Sequence, residues 1–309
     1  MDQKHKNKKN FKSYIPLLGW LKDYKREWIK GDVRAGLTVG VMLIPQGMAY
    51  AMLAGLPPIY GLYASIVPLL LYAIFGTSRQ LAVGPVAMVA LLISSGVGVL
   101  ATAGSSEFIA LAILAAFMVG VFQLTLGLFK VGFIVNFLSH PVISGFTSAA
   151  ALIIGLSQLK HLSGLNIPRG KVHETLYQFF SQIGDVHFLT VAIGGGAIVL
   201  LLLIKKYIPK IPGPLVVVFL TTLLVGIFGW HEYGVKIVGN VPSGLPSISF
   251  AFFNLSNIAD LLPIVITISL VEFMESIAVA KAIQAKHKDY KIDANQELIG
   301  LGLANIGGS

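Results

Sequence analysis

The 309-residue sequence contains no cysteine. That absence excludes disulfides and thiolate metal sites, and it leaves the redox compartment unread. Charge is scarce as well, at 12% of residues beside 55% hydrophobic, where soluble domains carry about 25% charged residues. With a mean hydropathy of +0.78, the composition is that of a polytopic membrane protein. Acidic residues are the rarer sign, 14 against 23 lysines and arginines, for a net charge of +9. Orientation in a membrane accounts for this excess better than nucleic acid does, and no nucleic-acid partner is expected. Also missing are a metal-spaced histidine cluster, a phosphate loop, a G-x-S-x-G elbow and a credible triad, so neither an enzyme nor a cofactor is expected. The basic run from Lys4 to Lys12 leads into a polar amphipathic segment, not an apolar core with a cleavage site, and does not read as a signal peptide.

What the sequence does have is a succession of apolar segments. Residues 1–12 read as a disordered basic tail and 14–30 as one helix lying in the membrane interface, with aromatics beside Lys22, Lys25, Arg26 and Lys30. Spans are expected over 35–54, 59–75, 76–98, 108–129, 141–159, 186–207, 212–230 and 258–285, and a ninth begins at 295 and stops at 308. The loop 160–185 holds an amphipathic piece around 174–183, and 231–257 is rich in turns. Gly194, Gly195 and Gly196 permit close helix approach. With the N-terminus in the cytoplasm and all eight complete segments crossing, every lysine and arginine except Lys160, Arg169, Lys171 and Lys236 falls on the inner side. The third span therefore has to cross, although Gly84-Pro85 interrupts it.

A spanning helix wants an unbroken ladder of backbone hydrogen bonds, and proline removes one donor. Pro85 suits the first turn of a half-helix, with 81–84 as extended backbone before it, and a half-helix N-terminus offers partial positive charge and free N–H groups to an anion. The plainer alternative is an ordinary kinked span. In span eight, Glu272 and Glu275 lie mid-segment, where a charge is costly and tends to mark function. Their i, i+3 spacing puts both on one face, able to share a proton or line one cavity; bonding to a neighbouring helix is the bland reading. Lys281 is about 240° round the helix from Glu275 and reads as snorkelling inward. In span one, Pro45 frees a carbonyl, while Gln46 and Tyr50 share a face at i, i+4, as pocket lining or as helix kink and glue. Ser144, Thr147 and Ser148 read as helix packing and His140 as a boundary histidine.

The stretches LIPQGMAYAML (43–53), GLPPIYGLYAS (55–65) and FGTSRQLAVGPVA (75–87) resemble, in order, the signature of the SulP sulfate-permease family of anion transporters. HPVISGFTSAAALIIGLSQLK from His140, VEFMESIAVAKAIQAKH and DANQELIGLGLANIGGS are similar to its fifth, eighth and ninth spans, and the resemblance covers 31–309. It implies an all-α polytopic membrane protein made of two seven-span inverted repeats, whose third and tenth spans each join a short strand to a half-helix across the anion site. This sequence would hold the first repeat and the start of the second. The implied organisation is a cytoplasmic tail and interfacial helix (1–34), core-domain spans one to four (35–135), gate-domain spans five to seven (136–232), and a linker with spans eight and nine of the core (233–309).

By motif position, Gln46, Tyr50, Gly84, Pro85, Val86 and Ala87 would bind substrate, and Glu275, with Glu272, the coupling ion. Val86 stands where relatives often have a bulkier residue. Gln46 is neutral where proton-coupled relatives have an acid, which makes Glu275 the better coupling candidate. The implied function is secondary active transport of sulfate, bicarbonate or a dicarboxylate by alternating access, coupled to H+ or Na+, in the cell membrane and as a homodimer of the full-length protein. A channel or sensor on the same scaffold, or a nucleobase permease, is the alternative. Ser309 falls inside span nine, so span ten, the rest of the second repeat and the usual STAS domain are expected to lie outside this sequence, and the 309-residue piece alone is expected not to transport.

Overall fold

The computed structural model describes residues 15–137, 140–167, 172–245, 257–286 and 290–309. The basic tail and part of the turn-rich 231–257 stretch lie outside them, as do the side chains of His140, Ser144 and Thr147. Among the described residues the chain is helical, without a β-strand.

The single interfacial helix expected over 14–30 is broken. Helix α1 (Pro16–Trp20) runs into one 3-10 turn, Leu21–Asp23, then extended Tyr24 and Lys25, and a second turn, Arg26–Trp28, enters α2 (Ile29–Ala54). Aromatic packing explains the break: the Tyr24 ring sits 6.0 Å from Trp20 and 5.7 Å from Trp28, and its hydroxyl donates to Asp32 Oδ2 at 2.5 Å. That bond to the Asp32 side chain pushes the Tyr24 phenol above its ordinary range. Helix α2 carries Pro45 within it and ends at Gly55, whose φ of 94° is a left-handed cap that glycine adopts without strain.

The second span is two helices, α3 (Pro58–Tyr63) and α4 (Val67–Phe75), instead of one. Pro68 has no N–H to give to the carbonyl four residues back, so the ladder fails at 64–66 and restarts with proline in the first turn. A non-helical stretch from Gly76 to Val86, bent at Thr77, Arg79 and Gln80 and extended at both ends, then leads to α5 (Ala87–Val97). Ser105 caps α6 (Ser106–Leu128), accepting from Phe108 N at 3.1 Å. Further on are α7 (His140–Ser157), α8 (Leu159–Ser163), α9 (Val172–Ser181), α10 (Phe188–Tyr207), α11 (Gly213–Ile227), α12 (Ile258–Lys286) and α13 (Ala294–Gly308). Asp293 caps α13, accepting from Asn295 N at 3.0 Å and Gln296 N at 3.3 Å. Among the described residues, five stretches are long and apolar enough to cross a membrane: Arg26–Ala54, Pro58–Phe75, Ser106–Leu128, Phe188–Tyr207 and Ile258–Lys286; α5 and α11 are apolar but shorter.

The chain divides into two compact units. One comprises residues 1–33, 47–143 and 244–309. Its core packs Val97, Phe108, Leu114, Leu261 and Val265 from α5, α6 and α12, and a second cluster joins Tyr72, Phe273, Ile277, Leu298 and Leu301 from α4, α12 and α13. Here α6 and α13 meet backbone to backbone: a Cβ on Gly302 would lie 2.6 Å from Leu124 N, and one on Gly120 2.7 Å from Gly302 O. Small residues allow this approach, as between helices in lipid generally.

The other unit comprises 34–46 and 144–243. In it α10 packs on α8 and α11, and of the three glycines expected to permit close helix approach only Gly194 faces a helix, α8. A Cβ on Gly194 would meet a Leu162 side chain at 2.7 Å, while Gly195 and Gly196 have nothing within 4 Å. Glycine permits an approach only where a partner helix faces it, and these two lie on an exposed face of α10.

Candidate functional site

The site begins with the interrupted third span. Proline disfavours the helical conformation in the residue before it, so Gly84 belongs to the extended lead-in. Val86 remains extended, at φ −128° and ψ 146°, as a β-branched residue readily does, and α5 starts at Ala87. The half-helix is therefore present, but Pro85 precedes its cap instead of occupying its first turn. Extended backbone becomes a strand only when another strand pairs with it, and among the described residues none does. No side chain caps the α5 N-terminus. Its first N–H groups, which have no intrahelical acceptor, lie at the head of an 11-residue helix.

A cavity of about 180 Å³ opens there, lined by Tyr50, Pro85, Val86, Val89, Glu272 and Asn305 among others. Its wall is chiefly aliphatic, with the Tyr50 ring on one side and a carboxylate and an amide on another. Gly84 and Ala87 flank the lining pair Pro85-Val86 in the chain. The structure thus gathers Tyr50, Pro85, Val86 and Glu272 of the expected residues around one space. Gln46, one turn before Tyr50 on α2, is exposed and falls in the other compact unit. Glu275, one turn beyond Glu272, is exposed on α12 and is not part of the cavity wall, and Lys281 is exposed too.

Glu272 is held by two amides that the sequence reading passed over. Gln123, fully buried on α6, donates from Nε2 to Glu272 Oε2 at 3.1 Å and to Ser269 O at 3.3 Å. Asn305 on α13 donates from Nδ2 to Glu272 Oε2 at 2.9 Å and Oε1 at 3.1 Å, and to Gln123 Oε1 at 3.0 Å. The carboxylate thereby ties α6, α12 and α13 behind the cavity, a polar knot of the kind an apolar core tolerates only when its members are bonded. The signal was available: a lone glutamine in an otherwise apolar span. Also overlooked was Glu297, fully buried in the first turn of α13 and bonded to Tyr72, Thr77 and Ser78. Among the described residues no group of three or more His, Asp or Glu could hold a metal ion. The chemistry on offer at the cavity is binding: helix N–H groups, an aromatic face, aliphatic walls, and one carboxylate set behind them.

Five long apolar stretches, with a chiefly aliphatic cavity at the head of a shorter apolar helix, define a multi-pass helical membrane protein. The chain belongs to the sulfate permease family, whose model matches residues 29–309. This is a family of transporters and not of enzymes. The chain is 42% identical over 305 residues to Sulfate transporter 4.1, chloroplastic, of Arabidopsis thaliana, covering 96% of this chain and 44% of the relative. Among solved structures it is similar to the murine Solute Carrier 26 family member A9 anion transporter in the inward-facing state, at a TM-score of 0.88 and 28% identity, covering 100% of this chain and 55% of that one. The transmembrane domain of a cyanobacterium bicarbonate transporter, BicA, shares the fold at a TM-score of 0.79 and 23% identity, over 92% of this chain and 73% of that one. The chain spans about half the length of the curated relatives it matches.

Proposed function

We propose that this chain is the N-terminal portion of the membrane domain of a secondary active transporter of small anions, with sulfate, bicarbonate or a dicarboxylate as cargo. The observation that carries the reading is the uncapped α5 N-terminus standing with Val86 at a cavity inside the apolar core. Such a helix end favours negative charge, and in transporters broken helices turn their N-terminal ends toward anionic groups near the bilayer midplane. Gln46, Tyr50, Gly84, Pro85, Val86 and Ala87 form this chain's share of the substrate pocket. Glu275, with Glu272, takes up the coupling H+ or Na+. The fold around them is a pair of seven-span inverted repeats, and a core holding 35–135 and 233–309 moves against a gate holding 136–232. The compact units favour that division for 47–135, 144–232 and 244–309, whereas 34–46 groups with the gate segment. The full-length protein is a homodimer in the cell membrane, with its N-terminus in the cytoplasm.

The test is uptake of radiolabelled sulfate and bicarbonate by the full-length protein in proteoliposomes, under imposed pH and Na+ gradients. Saturable uptake driven by one gradient, and made indifferent to it by Glu275→Gln, is the expected result. Gradient dependence that survives Glu275→Gln refutes the coupling role. Fluxes far above carrier turnover would make the protein a channel.

A further inference from the structure

Glu297 is 0% exposed, and the donors around its carboxylate come from α4 and the hinge where α4 gives way to the extended lead-in. Tyr72 Oη donates to Oε2 at 2.6 Å, Thr77 N to Oε1 at 2.6 Å and Ser78 N to Oε1 at 3.3 Å, and the Thr77 hydroxyl also donates to Oε1. The neighbouring residues of α13 grip the same few positions. Gln296 Nε2 donates to Phe75 O at 2.8 Å, the Asp293 N–H donates to Thr77 Oγ1 at 3.3 Å, and a Cβ on Gly300 would lie 3.0 Å from Gly76 Cα. Helix packing alone needs none of this. A buried carboxylate is costly and persists where donors such as these offset its desolvation, so a device this specific fixes a position.

What it fixes is the upstream end of the extended lead-in. From Arg79 to Val86 the backbone has neither a helix nor a strand ladder to define its path, so its course is set by α5 downstream, by the Glu297 anchor upstream, and between them by side-chain contacts: Tyr290 Oη donates to Gln80 Oε1 at 2.5 Å, and Leu81 and Val83 pack against the Tyr72–Phe273 cluster. We propose that Glu297 is a positioning residue for the anion site, which holds the lead-in through Thr77 and Ser78 and so sets where Val86 and the α5 N-terminus stand at the cavity, without touching substrate itself. The inference rests on the reading of that cavity as the anion site.

The test uses Glu297→Gln, Thr77→Val and Tyr72→Phe in the full-length protein. Glu297→Gln keeps the shape and leaves one oxygen for the two backbone N–H groups, but it removes the charge that strengthens all four bonds. The expected result is a KM for sulfate raised about fivefold or more with Vmax within about twofold, a pattern that simple loss of folded protein does not give. Thr77→Val, which spares the backbone bonds, shifts KM the same way by less and carries the test if Glu297→Gln does not fold. A second readout needs no substrate. This chain has no cysteine, so Ala82→Cys adds its one thiol at an exposed position of the lead-in for a spin label, any cysteine elsewhere in the full-length protein being replaced first. Label mobility rises in Glu297→Gln and, to a smaller degree, in Tyr72→Phe. Unchanged mobility in a folded Glu297→Gln protein overturns the anchor, and raised mobility with an unmoved KM overturns its link to the site. Absence of anion uptake by the unsubstituted protein overturns the anion reading instead, and the label then decides the anchor alone.

Discussion

Val86 brings two methyl groups and no donor to the head of α5, so on the proposed reading Val86 itself adds nothing polar to the attraction that backbone N–H groups and the helix dipole offer an anion there. A fixed negative charge at this position would meet the substrate directly. Two unit charges about 4 Å apart at an effective dielectric of 20 repel by about 4 kcal/mol, close to a thousandfold in binding. Val86→Glu in the full-length protein is therefore expected to lower kcat/KM for sulfate by at least about a hundredfold, whereas Val86→Thr, nearly the same shape, stays within about threefold. Wild-type uptake by Val86→Glu would show that anions do not meet the chain at this helix end. The two glutamates of α12 divide at the same scale. Glu272 has its oxygens engaged by Gln123 and Asn305 behind the cavity, while Glu275 is exposed one turn away. The spacing that placed both on one face did not distinguish them, because burial and bonding depend on which helices pack alongside.

Among the elements, α2 and α3 of the first unit approach closely at a pair of glycines, where a Cβ built on Gly61 would lie 2.0 Å from the Gly47 carbonyl oxygen. The obstructing atom is backbone, so a methyl group cannot be accommodated by a rotamer change and the helices must separate. Gly61→Ala is expected to cost about 1–3 kcal/mol or more, read as a lowered melting temperature of the solubilised protein. Gly40→Ala, on the same α2 helix with nothing within 4 Å of the added atom, is the control and gains up to about 1 kcal/mol of helix propensity. A Gly61→Ala protein melting with the wild type would mean that this contact does not hold the pair. Element by element, what the sequence revealed depended on how local the cause was. Hydrophobic runs located α6, α10 and α12 to within a few residues, and Gly84-Pro85 marked its break because proline acts on its immediate neighbours. Pro68 acts the same way, yet its break was hidden inside a run apolar enough to read as one span. The kink at Tyr24 depends on a ring packed between Trp20 and Trp28, which periodicity does not reveal. Glu297 read as an ordinary polar helix start, because its partners lie some 220 residues earlier in the chain.

For the molecule in its membrane, everything turns on whether the third span crosses. With 11 residues, α5 rises about 16 Å, half of the roughly 30 Å of hydrocarbon. At about 3.3 Å per extended residue, five residues of the lead-in supply the remainder, so 76–97 is long enough to cross although its helix is not. Crossing also reconciles the charges, since Arg79, ahead of those five lead-in residues, and Lys130, after α6, then both face inward, as the bias of lysine and arginine requires. If the span turned back instead, the connection between α5 and α6 would lie on the inner side. Ala103→Cys, exposed in that connection, and Ala285→Cys, exposed near the end of α12, each introduce the sole thiol of this chain. In intact cells a membrane-impermeant maleimide is expected to label Ala103→Cys at once and Ala285→Cys only after the membrane is permeabilised. Labelling of Ala103→Cys that also waits for permeabilisation would mean that the third span does not cross. The α5 N-terminus would then not stand at mid-membrane, and no anion passing through the protein would need to meet Val86.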